Sequence, residues 1–198
     1  MVKKTIAVLF AVLLVFWGIS VVKTNKNEKE ISKIIYPMGE WVCYENDFYE
    51  KSSDTRNGYS IKVVDARVVK YDDFLNEQGI KVFKNKETFT PDYIFDVTVI
   101  IKNANNTDGG ISMIDTTLNS VNDIMQIDFD VFDALYEQLG GAVSFSLKTN
   151  TQMEFHFPFK VANAQFQKVC DYEYLTKNTF YLNLSQYPTE KSIEVKSR

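Results

Sequence analysis

The sequence predicts a mainly β protein: an antiparallel β-sandwich with one or two short helices, preceded by a single N-terminal transmembrane helix. An uncharged apolar run opens the chain, and about seven short segments rich in β-branched and aromatic residues follow it, separated by turn residues. The length of 198 residues and the hydrophobic content of 45% are typical of one ordinary folded domain.

The apolar run begins at Thr5 and ends at Val22, with no charged residue between them. As a helix it is about 27 Å long, which is enough to cross a bilayer. Lys3 and Lys4 precede the run, which favours an N-terminus inside the cell and a C-terminal domain outside. The alternative is a cleaved signal peptide, because Gly18-Ile19-Ser20 offers a small-x-small cleavage site.

The predicted organisation therefore has three parts. Residues 1–23 form the anchor or signal peptide, residues 24–35 form a polar tether, and residues 36–198 form the extracytoplasmic β domain. The expected location is the cell membrane, crossed once.

Composition narrows the range of functions. Beyond residue 24 the chain has 19 basic and 26 acidic residues, a net charge of −7, which argues against nucleic acid as a partner. His156 is the single histidine, so every metal motif that needs two histidines is excluded, and no metal or cofactor is expected. Abundant lysine and asparagine with three arginines are typical of a low-GC Gram-positive bacterium.

The first strands of the domain follow a turn. Asn57-Gly58 predicts a tight connection between antiparallel strands, with positive φ at both residues. The inward alternation that follows slips by one residue, which predicts a β-bulge near Val64. Residues 72–79 predict a short helix that an aspartate caps and Gly79 ends.

Residues 92–103 form the best candidate for a central strand because they are densely apolar and β-branched. Residues 151–161 alternate most cleanly, with Phe155 and Phe157 facing the core and His156 facing solvent. Pro158 places this strand at a sheet edge or at a bulge. Further strands are expected at 110–115, 142–147 and 179–185, and a helix is expected at 130–139.

Three segments resemble one family: Tyr36-Pro37-x-Gly39-Glu40-Trp41, then 58–66 (GYSIKVVDA), then 96–103 (DVTVIIKN). They are similar to segments of a membrane-anchored protein family of unknown function from Gram-positive bacteria, whose extracellular domain is telokin-like, that is, immunoglobulin-like. The resemblance implies an immunoglobulin-like antiparallel sandwich on the cell surface. It implies no catalytic residues.

Two cysteines, Cys43 and Cys170, could form a disulfide outside the cell, or they could be two small buried residues. Their pairing with His156 as nucleophile and base is disfavoured, because no orienting partner is evident.

Two loops hold clustered oxygen ligands. The segment 103–110 resembles a calcium loop but lacks the carboxylate that the first position needs, so it is predicted to be a hairpin turn. Asp123, Asp128, Asp130 and Asp133 form an acidic cluster, for which a helix cap and a solvated surface are favoured over a bound cation.

Aromatic residues supply the remaining candidate sites. They are expected in the core, or in a binding patch if they are exposed together. The candidates are Trp41, Tyr44, Tyr172 and Tyr174.

The leading functional hypothesis is a membrane-tethered extracytoplasmic interaction module with a protein or peptide partner and no catalytic activity. One version of it is an immunity or accessory protein that binds a toxin or peptide at the cell surface. A carboxylate-dependent cell-wall hydrolase is the enzymatic alternative, since 26 acidic residues leave many carboxylate pairs open. A carrier of small apolar ligands would need a cavity lined by Phe155, Phe157 and Phe159.

Overall fold

A computed structural model describes residues 2–27, 31–45, 56–81, 91–107, 109–121, 123–139, 144–161, 172–186 and 189–198. The chain divides into two compact units, Met1–Ile31 and Ser32–Arg198. It is 43% strand and 29% helix, so the prediction of a mainly β protein is confirmed.

The first unit contains one long helix, α1 (Val2–Asn27). Its described large apolar side chains are exposed, from Val21 at 37% to Trp17 at 68%. Within the residues whose side chains are described, no helix is both long enough and apolar enough to cross a membrane. The predicted transmembrane helix is therefore not confirmed. The apolar run from Thr5 to Val22 also contains Ala7 and Val8, whose side chains lie outside the described residues.

The second unit contains three sheets, in which all strand pairs but one are antiparallel. The four-stranded sheet has the order β2 (Val42–Cys43), β3 (Tyr59–Lys70), β4 (Tyr93–Asn103), β9 (Thr151–Val161). The five-stranded sheet has the order β1 (Ser32–Tyr36), β11 (Thr189–Val195), β10 (Phe180–Ser185), β6 (Thr117–Asn119), β7 (Ile124–Gln126). A small third sheet pairs β5 (Ile111–Ser112) with β8 (Ser144–Phe145).

The two larger sheets bury one common apolar core, as a sandwich requires. The ring of Phe95 on β4 lies 5.0 Å from the ring of Phe180 on β10. Phe155, Phe157 and Phe159 of β9 are fully buried, and the ring of Phe155 stacks 4.7 Å from that of Phe145. Aromatic rings therefore fill the region where a carrier of apolar ligands would need a cavity.

Strand β4 is central, as predicted, because β3 and β9 pair with it along its whole length. The predicted bulge is also present: the register between β3 and β4 shifts between Val63 and Asp65.

Strand β9 is the last strand of its sheet, in agreement with the expectation from Pro158. The carbonyl oxygen of Pro158 accepts a hydrogen bond from the backbone N–H of Asp128, on the side of β9 away from β4. The backbone N–H of His156 faces the same side and donates to the hydroxyl of Tyr136. Residue 158 therefore needs no donor toward β4, which explains how this strand accommodates proline.

The first strand of the unit was missed. Strand β1 begins at Ser32, inside residues 24–35, which the sequence predicts to be a tether, and it pairs in parallel with β11. Lys33 and Glu190 form an ion pair of 2.7 Å across this pair of strands. The prediction of a purely antiparallel sandwich is wrong at this edge.

Two predicted turns differ in the structure. Gly58 has φ 93°, but Asn57 has no positive φ, so the turn from Arg56 to Tyr59 is of a different type from the one expected. The strand before β3 that pairs with it is β2, so residues 44–58 separate these two strands and no two-residue hairpin joins them.

The 103–110 loop leads from β4 to β5, which pairs with β8 rather than folding back on β4. The prediction of a hairpin is therefore wrong here. The side chain of Asn103 is fully buried and bonds the carbonyl oxygens of Asn106 and Leu147, which ties this loop to the β8 segment.

Short helices cover the ends and edges of the sheets. Helix α2 (Tyr71–Gln78) ends at Gly79, with φ 67°, as predicted, but Lys70 rather than an aspartate is its N-cap. The helix expected at 130–139 is α3 (Phe129–Leu135) followed by a 3-10 turn (Glu137–Leu139), and Asp128 caps α3. Helix α4 (Tyr172–Lys177) was not anticipated.

Candidate functional site

The four-stranded sheet has an outer face, on the side away from the core. Helix α2 covers one end of this face, where Phe74 and Leu75 pack with Ile94 in a second, smaller apolar cluster. The rest of the face combines polar and apolar residues, and their exposure varies from the buried Thr98 to the exposed Trp41. We use the term outer face for this part, which includes Trp41, Cys43, Lys62, Thr98, Ile100, Glu154 and His156.

A charged network crosses the outer face from β3 to β9. Asp96, in the middle of β4, is 1% exposed, and Oδ2 of its carboxylate accepts a hydrogen bond of 3.0 Å from Nε of Arg67. Nδ1 of His156 lies 3.0 Å from Oδ1 of the same carboxylate. Arg67 also pairs with Glu77 of α2 at 2.8 Å. We call these four residues the outer-face network.

Burial explains why the network is held together. A carboxylate buried in an apolar strand is very costly unless cations and donors neutralise it. Asp96 has two such partners, one on each neighbouring strand, so the register of both strand pairs is tied to this charge. The network therefore orders the outer face.

His156 is half-buried, and its pKa is raised above the ordinary value. The hydrogen bond to Asp96 is the main cause, and burial of the ring opposes it. Nδ1 faces Asp96, while none of the described residues lies within hydrogen-bond distance of Nε2. A ligand at the outer face could therefore bond Nε2, which accepts a hydrogen bond when the ring is neutral and donates one when it is charged.

The network resembles part of a catalytic constellation, because a carboxylate orients a histidine. The described residues place no nucleophile on Nε2. Thr98 Oγ1 approaches within 3.5 Å, but of Nδ1, the nitrogen that already faces Asp96. Among the described residues, no group of three or more histidine, cysteine or acidic side chains is arranged to hold a metal ion.

The prediction that His156 faces solvent is only partly right. Strand alternation places His156 on the face away from the core, as predicted, but that face is not simply wet at this position. The register puts a buried acid of β4 next to it, and the ring becomes part of the network.

The four candidate aromatic residues do not form one patch. Trp41 is 40% exposed on the outer face, where Nζ of Lys62 lies 4.9 Å from its ring centroid. Tyr172 is exposed near the ring of Tyr93, at the other end of the sheet. Trp41 lies beside Lys62 of β3, and Tyr172 lies near Tyr93, which pairs with Lys70 of β3. Lys62 and Lys70 are eight residues apart along the strand, or about 26 Å.

The other two aromatic candidates are parts of the folded interior. Tyr44 is buried, which raises the pKa of its hydroxyl far above the ordinary value, and the guanidinium of Arg56 lies over its ring. Tyr174 packs against the core and donates a hydrogen bond of 2.6 Å to Asp123.

The cysteine and acidic candidates are also dispersed. Cys43 is exposed, and its register partner is Ser60 of β3 rather than His156. Cys170 is outside the described residues, so the disulfide remains a prediction. In the acidic cluster, Asp128 caps α3 and Asp123 binds Ser120 and Tyr174.

Sequence reasoning missed Asp96 and Arg67, although a signal for the network was present. Asp96 interrupts the most apolar strand of the chain, between Phe95 and Val97. A charge at such a position requires a partner on a neighbouring strand, and the rarity of arginine and histidine in this chain leaves few choices.

The fold and the site define a mainly β domain with an open, partly charged sheet face and, among the described residues, no assembled catalytic constellation. Residues 33–191 match the domain of unknown function DUF5028, and the chain belongs to this family. No curated protein and no solved structure matches the chain.

The raised pKa of His156 leads to a prediction about stability. Because the folded state binds this proton more tightly than the unfolded state, the extra stability is fully present below the unfolded pKa of about 6.5. It is lost as the pH rises through the higher folded value. Thermal unfolding between pH 5.5 and 8.5 should therefore show a melting temperature that falls across this range.

The matched control is His156→Asn, which should flatten the profile between these pH values. Asp128, whose pKa burial also raises, titrates in both proteins and cancels from the comparison. Since the chain has one histidine, NMR can follow its ring protons without assignment. A titration midpoint below 6.5 would contradict the network as described.

Proposed function

We propose that this chain is a membrane-tethered, extracytoplasmic binding module of the immunoglobulin-like type from a Gram-positive bacterium. Its outer face binds a protein or peptide partner, and it is not an enzyme. The observation that carries this proposal is the outer face itself, where an exposed tryptophan and an imidazole nitrogen that no described residue bonds lie on the side of the sheet away from the core.

The support for a membrane tether comes from the first unit. Its helix of 26 residues contains the uncharged run from Thr5 to Val22 and is about 39 Å long. The apolar side chains described along it are exposed between Ile6 and Val22. A helix that is apolar on all its described sides needs apolar surroundings, and the lipid of a bilayer supplies them.

The support for partner binding comes from the composition of the outer face. Trp41 and Ile100 offer apolar area, while Lys62, Glu154 and His156 offer charges and hydrogen bonds. Binding surfaces typically combine an aromatic anchor with a polar surround. Because the outer-face network fixes the strands beneath them, these groups lose little entropy when a partner binds.

The exposed thiol of Cys43 gives a direct test, because this residue is next but one to Trp41 on the same face. In intact cells that carry the Cys170→Ser variant, we expect a membrane-impermeant maleimide to label Cys43. A maleimide that carries a photoreactive group should then crosslink the partner from this position. Trp41→Ala should reduce that crosslink.

The matched control moves the thiol to the opposite sheet by combining Cys43→Ser with Lys33→Cys, since Lys33 is exposed on β1. Labelling at position 43 only after cell lysis would disprove the extracytoplasmic location. Crosslinking of equal strength from positions 33 and 43 would disprove the outer face as the binding surface.

A further inference from the structure

The end of the sandwich opposite Ser32 exposes several apolar side chains. Ser32 pairs with Thr189 at the start of β11, and six residues further along β11, about 20 Å away, the sheet reaches this end. Val121, between β6 and β7, is 94% exposed, Ile124 is 68% exposed and Tyr172 of α4 is 50% exposed. Exposed apolar side chains that lie together mark interaction sites.

These side chains have fixed supports. The backbone N–H of Ser120 donates to the carbonyl oxygen of Asp123, at 2.8 Å, and its hydroxyl donates to the carboxylate of the same residue, at 2.9 Å. The hydroxyl of Tyr174 reaches that carboxylate from α4, so the hairpin and the helix are joined. Tyr172 itself lies against Tyr93, with 6.3 Å between ring centroids.

An open acidic cavity of about 430 Å³ lies at the same end, beside the start of β4. Three carboxylates and one ammonium group line it, together with an aromatic ring. Its lining residues are Lys70, Tyr71, Asp72, Asp73, Pro91 and Asp92. Asp92 directly precedes Tyr93, whose ring lies 6.3 Å from that of Tyr172, so the cavity and the apolar side chains lie at the same end of the domain, and we call them together the end surface.

We infer that the end surface binds a cationic amphipathic polypeptide segment. Its lysine or arginine side chains enter the acidic cavity, where carboxylates and the ring of Tyr71 attract cations. Its apolar side chains cover Val121, Ile124 and Tyr172. The inference rests on the proposed function, because it names the class of partner for the binding module and adds a second surface to the outer face.

Charge and position both favour this occupant. The domain beyond residue 24 has a net charge of −7, which repels anionic segments and attracts cationic ones over a distance of several ångströms. The end surface also faces away from Ser32, where the chain enters the domain.

The test uses the full chain in nanodiscs of phosphatidylcholine, with empty nanodiscs as the blank. The probes are three fluorescent twelve-residue peptides, with alternating Lys-Leu, Glu-Leu and Lys-Ser sequences, and fluorescence anisotropy measures the dissociation constants. We expect the Lys-Leu peptide to bind at least about tenfold more tightly than either of the others. Its binding should weaken as salt is added.

Variants then locate the binding site. Val121→Asp and Asp73→Asn should each weaken binding of the Lys-Leu peptide several-fold. The matched controls are Ile114→Asp and Asp115→Asn, which alter an exposed apolar and an exposed acidic residue in the loop between β5 and β6. Circular dichroism melts establish that each variant is folded.

Two results would overturn the inference: equal binding of the Lys-Leu and Glu-Leu peptides, or equal losses in the Val121 and Ile114 variants. Crosslinking from Cys43 probes the outer face and involves none of the end-surface residues. Its outcome therefore separates failure of this inference from failure of the proposed function.

Discussion

Phe155→Ala should lower the free energy of unfolding by about 3 to 5 kcal/mol, the range for truncating a large buried aromatic side chain. Phe155 is fully buried, and its ring contacts three others, with centroid distances of 4.7 Å to Phe145, 5.1 Å to Tyr136 and 6.4 Å to Phe132. The smaller residue leaves a cavity that several rigid rings cannot fill. Urea unfolding at constant pH measures the loss.

The control for this change is Val121→Ala, which truncates an apolar side chain that is 94% exposed. It should cost less than about 0.5 kcal/mol, because surface substitutions away from such packing have little effect. If the two variants lost similar free energies, β9 would not contribute its aromatic side to the core.

Asp96→Asn should cost about 3 kcal/mol, because it removes the buried charge that both Arg67 and His156 bond on the outer face. The amide keeps the shape of the carboxylate but binds two cationic partners poorly. Chemical unfolding should show the loss at pH 6, where the charge on His156 matters most. The same variant should also remove most of the pH dependence that His156 gives to the melting temperature.

Glu77→Gln serves as the control on the other side of the network, since Glu77 bonds Arg67 but its side chain is 47% exposed. We expect a cost under about 1 kcal/mol, as for other exposed ion pairs. A loss at Glu77 as large as that at Asp96 would mean that the network depends on α2 rather than on the buried carboxylate.

Much of the fold could be predicted from local patterns. Strand β9 was predicted with its bounds as observed, because five apolar residues alternate without interruption. Strand β4 was predicted to within one residue, because it is densely β-branched. Gly79 ended α2 as expected, since only a left-handed residue closes that turn easily.

What the sequence could not predict depends on contacts between distant residues. Residues 189–195 are mostly polar, and they form a strand because β1 and β10 pair with them on either side. The 103–110 loop has the composition of a hairpin, yet Asn103 bonds Leu147, 44 residues away, and directs the chain elsewhere. Propensity alone does not determine such pairings.

The candidate site was harder to predict than the fold. Alternation placed His156 on the correct face, but it gave no information about which residues stand beside it. Those neighbours follow from the register between β3, β4 and β9, and a one-residue slip would have separated Asp96 from both of its partners.

The pairing of β1 with β11 has a consequence for biosynthesis. The first strand of the domain can complete its hydrogen bonds only with residues 189–193, near the C-terminus. Residues 37–188 must therefore all be synthesised before this edge of the sheet can close, so its closure follows the synthesis of β11. Contacts this distant in sequence also slow the search for the native arrangement. Until β1 has paired, the edge of β11 is available to chaperones and to other unfinished chains.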